Sequence, residues 1–94
     1  MKVKLTPKAQ LDFADQLAWF KARSPTAGRR AALAIIKALD MLRAYPDGGS
    51  AVEIDRREKY VRFGLYGFVI EYERRESIIF VTRIYHGAQY RSRG

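Results

Sequence analysis

The stretch KYVRFGLYGFVIEYE, residues 59–73, decides the fold class. Residues 60–65 alternate, with Val61, Phe63 and Leu65 on one face and Tyr60 and Arg62 on the other. Tyr66-Gly67 reads as a short turn, after which Phe68, Ile70 and Tyr72 alternate against Val69 and Glu71. A period of two marks strands with one face in a core. Downstream, residues 73–77 read as a polar turn, and residues 78–85 as the most β-prone stretch, carrying Ile78, Ile79, Phe80, Val81, Thr82 and Ile84. Upstream, Ala51, Val52 and Ile54 begin the strand-forming half. Short polar links between successive strands predict an antiparallel meander.

The first half follows a helical period. Residues 1–5 alternate as a short strand, Val3 and Leu5 lying between lysines. Thr6-Pro7 then starts a helix, Thr as the cap and Pro at the first helical position. To about residue 22, Phe13, Leu17 and Phe20 recur at helical spacing with Ala14 and Ala18 beside them, and Asp12 and Asp15 lie toward the favourable N-terminal end. Ser24-Pro25 repeats the start signal. The second helix runs to about residue 44, with Ala32, Ile35, Ile36, Leu39 and Leu42 facing one way, and Tyr45-Pro46-Asp47-Gly48-Gly49 stops it. The expectation is an α+β domain: an N-terminal strand, an antiparallel helical hairpin, and a small, mainly antiparallel sheet that the hairpin covers on one face.

Ninety-four residues, 48% hydrophobic and 13% aromatic, suit one domain spanning 1–94. The absence of cysteine excludes disulfides, a thiol nucleophile and cysteine-ligated metals, and a single histidine argues against a His-rich metal site. No metal or cofactor is expected. No apolar run nears the ~18 residues of a membrane span, and the N-terminus has no signal-peptide pattern, so a cytoplasmic location without membrane contact is expected. The net charge is +8, with 12 arginines among 18 cations. Such a surface attracts polyanions: nucleic acid, a nucleoprotein or an acidic protein segment.

Arg62 and Arg83 fall inside otherwise apolar strands, on the face that the hairpin leaves open. Each either pairs with a strand carboxylate such as Glu71 or lines an anion site, and register decides between them. His86 is a candidate acid or base, against the alternative of a strand-closing histidine bonded to backbone beside Gly87. Tyr60, Tyr66, Tyr72 and Tyr85 fit buried rings with wet hydroxyls better than base-stacking platforms. Trp19 either contacts a partner or finishes the hairpin seam with Phe20. Gly64 and Gly67 bracket a turn, Arg74 and Arg75 read as a solvated turn, and Arg91 and Arg93 as a basic tail.

The ordered set "YPDGG", "KYVRFGLYGFVIEYE" and "VTRIYHGAQYR" resembles the ParE/RelE toxins of bacterial type II toxin–antitoxin, or plasmid-stabilisation, modules over residues 3–91. The resemblance implies a toxin neutralised by direct contact with a small acidic antitoxin, ParD-like or otherwise. The superfamily has two mechanisms. RelE-like members cut ribosome-bound messenger RNA without a metal, and Lys59, Arg62, Arg83 and His86 (or Tyr85) correspond to their catalytic places. The lysine patch of that branch shrinks here to Lys59 behind Arg56 and Arg57, and arginine cannot serve as a base. ParE-like members inhibit DNA gyrase without that set, and "RIYHGAQYR" resembles their ending. Residues 50–94 hold nine cations against six carboxylates, sparse for ribosome contact. The resemblance therefore points to gyrase first and the ribosome second.

Overall fold

The computed structural model describes residues 1–89, so the tail residues Tyr90, Arg91 and Arg93 lie outside it. Strand β1 (Lys2–Leu5) leads into helices α1 (Pro7–Arg23) and α2 (Pro25–Ala44), followed by β2 (Ser50–Ala51), β3 (Arg56–Val61), β4 (Phe68–Arg75) and β5 (Ile78–His86). Both helices start as the sequence signals. Thr6 Oγ1 accepts the Ala9 N–H at 3.2 Å and Ser24 Oγ the Ala27 N–H at 3.3 Å, each followed by a proline. Ser24 also closes α1, its N–H donating to Phe20 O at 3.0 Å.

The strands form one sheet in the order β1-β5-β4-β3-β2. The meander β3–β4–β5 is antiparallel as expected, whereas β1 joins parallel to β5, with Lys2 opposite Ile78. The hairpin is the crossover that a parallel pair needs. Opposed residues share a face, so Val61, Phe68, Ile70, Tyr72 and Ile84 point toward the helices, where Ile35, Leu39 and Leu42 meet them in one buried cluster with Ile79 and Val81. Glu58, Tyr60, Val69, Glu71 and Tyr85 share the opposite face by the same register. The Tyr72 hydroxyl donates to Pro46 O and accepts the Gly49 N–H, both at 2.9 Å. That fastens the YPDGG turn to the core, and burial raises the phenol pKa.

Two buried faces and three strand boundaries differ from the sequence expectation. Ile36 is 44% exposed, because α2 buries the row Ala31–Ile35–Ala38–Leu42 and Ile36 sits 100° round from Ile35. The most buried α1 positions are Ala9, Asp12 and Gln16, with Phe13, Leu17 and Phe20 half-buried and Ala14 and Ala18 exposed. Strand β2 ends at Ala51: the Val52 and Glu53 N–H groups both turn back to Arg56 O, leaving Ile54 99% exposed. Strand β3 stops at Val61, and residues 62–67 form a loop in which Gly64 and Gly67 take positive φ, so Arg62 is not a strand residue. Strand β4 continues to Arg75, shortening the next turn to Glu76-Ser77.

Candidate functional site

Past Leu5, strand β1 ends while β5 continues to His86, so the second half of β5, from Thr82 on, has a bare edge. Unpaired backbone groups there need partners, and polar side chains of Thr6, α1 and residue 89 supply them. Thr6 Oγ1 donates to Thr82 O at 3.2 Å, Asp12 Oδ2 accepts the Ile84 N–H at 2.9 Å, and Gln89 Oε1 accepts the His86 N–H at 3.0 Å. Gln16 Nε2 in turn donates to Gln89 Oε1 at 3.1 Å. The buried polar residues of α1 thus act as a substitute strand.

The same Asp12 carboxylate holds Arg83. Arg83 Nε donates to Oδ2 at 2.7 Å and Nη2 to Oδ1 at 3.2 Å, a bidentate pair at the margin of the core. Hydrogen bonding to Asp12 raises the Arg83 pKa further, and the guanidinium lies 4.5 Å from the centroid of the Tyr85 ring. Arg83 does stand opposite Glu71 in the register, but its partner comes from a helix rather than from a strand. Glu71 Oε1 instead accepts from the Thr82 hydroxyl at 3.0 Å, with Arg56 3.9 Å from its other oxygen.

His86 faces the helices in the row Val61–Phe68–His86. Trp19, Phe20, Tyr66 and Phe68 surround its ring, with centroids 5.7 to 6.2 Å away. Burial among them lowers its pKa and keeps it neutral at physiological pH. Nδ1 accepts the Ala88 N–H at 3.3 Å, which puts the ring proton on Nε2. The backbone bond beside Gly87 is therefore present. Trp19 is 47% exposed and its ring lies against Phe20 of its own helix and His86, on the cavity rather than in the seam between the helices. Trp19, Phe20, Phe63, Tyr66 and His86 wall a cavity of about 550 Å³ between α1, the 62–67 loop and the end of β5. Exposed Asp15 and Leu65 also line it.

The four catalytic candidates do not converge. Lys59 is half-buried on the helix-facing side of β3, opposite Ile70. Arg62 is exposed in the loop, Arg83 is bound to Asp12, and His86 closes the aromatic cavity. No group of three or more His, Cys, Asp or Glu residues suited to a metal occurs among the described residues.

A family model described as "ParE toxin of type II toxin-antitoxin system, parDE" matches residues 3–90. This chain belongs to the ParE/RelE toxin family. Two similar relatives, both from Caulobacter vibrioides, are toxin RelE3, 32% identical, and toxin RelE1, 35% identical. Each match covers 95% of this chain and 97% or 96% of the relative. A solved structure, the chromosomal ParDE TA system from P. aeruginosa, shares the fold: the TM-score is 0.76 at 19% identity, over 92% of this chain and 95% of that one.

In this toxin, the signature stretches are explained by contacts. A Cβ on Gly87 would come within 2.0 Å of the Tyr66 carbonyl oxygen, and the Gly87 N–H donates to Gly67 O at 2.9 Å. The His-Gly of the ending and the Tyr-Gly of the loop are thus two halves of one close crossing. Asp12 escaped the sequence reading because its partners lie 71 and 72 residues away. Its one local signal was position: Ala9, Asp12 and Gln16 fall at i, i+3 and i+7, the spacing of a buried helix face.

Proposed function

We propose that this toxin acts by binding its target rather than by cutting RNA, that the target is DNA gyrase, and that a cognate antitoxin neutralises it by direct contact in the cytoplasm. The observation that carries this reading is the Asp12–Arg83 pair. A ribonuclease of the RelE kind needs that arginine for the scissile phosphate. Here a carboxylate takes the Nε–Nη2 side of the guanidinium, and its charge opposes an incoming phosphate. Lys59 and His86 also sit two strands and two residues apart on the helix-facing side, with buried Ile70, Phe68 and Ile84 in the rows between them. The parDE family model and the "RIYHGAQYR" ending support the same branch. On this reading the toxin and its antitoxin together serve plasmid stabilisation.

The test sets gyrase supercoiling and cleavage-complex assays beside primer extension on ribosome-bound message. Gyrase inhibition with intact message is the expected result. A second reading, a metal-independent RelE-like endoribonuclease, is favoured by the names of the two Caulobacter relatives. It requires discrete cuts in the message, lost in Arg83→Ala and His86→Ala, with gyrase untouched. One missing acid or base group would then lower the cleavage rate by about 10²–10⁴-fold.

A further inference from the structure

The chain's excess charge is concentrated in one place. Residues 16–39 hold Lys21, Arg23, Arg29, Arg30 and Lys37 and no carboxylate, so this quarter of the chain supplies five of its eight net charges. The other 70 residues set thirteen cations against ten carboxylates. Elsewhere the arginines are largely neutralised: Arg43, Arg56, Arg57, Arg74, Arg75 and Arg83 each lie within 4.0 Å of a carboxylate oxygen. Lys21, Arg23, Arg29 and Arg30 are all exposed, and among the described residues none of these four takes part in an ion pair within that distance.

The fold gathers these four at the tip of the hairpin and holds them there. Lys21 and Arg23 end α1, and Arg29 and Arg30 lie in the second turn of α2. Gly28 permits the two helices to cross closely, since a Cβ there would stand 3.1 Å from Lys21 Cβ. Lys21 and Arg29 consequently line one groove of about 320 Å³. Ser24 caps both helices, so the tip is fixed before any ligand arrives. Arg23 is fixed as well: it lies over the Trp19 ring at 3.2 Å from the centroid and donates to Trp19 O at 2.8 Å. An arginine-rich, carboxylate-free array on a fixed backbone matches a ligand that is itself a regular array of anions. Duplex DNA, with one charge per ~1.7 Å of axis, is that ligand.

We propose that the hairpin tip is a contact site for the phosphate backbone of duplex DNA. This is independent of whether gyrase or the ribosome is the toxin's target. The experiment is fluorescence anisotropy of purified toxin with a labelled 20-base-pair duplex, titrated at 50 and 200 mM salt. Four neutralised phosphates predict an affinity loss of about 10²-fold over that range, reduced to about 10-fold in Arg29→Gln/Arg30→Gln. Arg74→Gln/Arg75→Gln removes equal charge from ion-paired positions and should leave the salt dependence at the wild-type value. Thermal melts confirm that both variants are folded. Wild-type binding that ignores salt, or a loss as large in the Arg74/Arg75 variant as in the hairpin variant, overturns the proposal. So does equal affinity for polyglutamate of matched charge, which would make the site one for acidic polypeptides.

Discussion

Asp12 joins elements that are otherwise only packed together. Its carboxylate accepts the Ile84 N–H and both bonds from Arg83, so Asp12→Ala strands a buried backbone donor and a partly covered guanidinium together. The loss should be about 2–4 kcal/mol in urea unfolding, and Asp12→Asn, which keeps an acceptor for Ile84, should cost less. His86 makes a different kind of prediction. Its folded pKa lies below the unfolded value because burial opposes the charge. Its stabilising contribution is therefore complete above the unfolded value of about 6.5 and is lost as pH falls through that value toward the folded pKa. The thermal midpoint of the wild type should fall between pH 7.5 and 5.5 by more than that of His86→Phe, which keeps a ring in the cavity and has nothing to protonate. Equal falls in the two proteins would count against a buried neutral imidazole.

At the level of elements, α2 provides a direct test of its buried face. Leu39 is buried and Ile36 is largely exposed, three positions earlier on the same helix. Leu39→Ala should cost about 2–5 kcal/mol and Ile36→Ala well under half of that, read as a difference in denaturation midpoint at unchanged slope. Both helices were legible in the sequence to within a residue or two, because caps and prolines are local chemistry acting within four positions. Strands β4 and β5 were legible for a similar reason: alternation records which side of the residue faces a core. Strand β3 was misplaced because YVRFGL alternates through the loop as cleanly as through a strand. Only the backbone shows that Gly64 and Gly67 have left the sheet. The candidate site was harder still. Arg83 and His86 were visible as unusual residues, but what each touches depends on α1, and no spacing rule links Asp12 to a residue 71 positions away.

For the whole molecule, charge and partner go together. A domain with net charge +8 should gain stability from a chain of opposite charge that folds on it. Co-expression with the adjacent open reading frame should yield a stable complex burying more than ~1,000 Å² in total. At an antitoxin concentration of 100 Kd, the toxin should be stabilised by about 2.7 kcal/mol, seen as a concentration-dependent rise in thermal midpoint. A midpoint that does not respond to the adjacent gene product would argue against that partner. The parallel pairing of β1 with β5 also has a meaning in time. Lys2 waits for Ile78, 76 residues later in synthesis, which at cellular rates is roughly 4–15 s. The hairpin residues are all made by about the middle of that interval, while the sheet still lacks the strand that joins its first residues to its last. The sheet, and with it the core that β5 closes, can therefore be completed only near the end of synthesis.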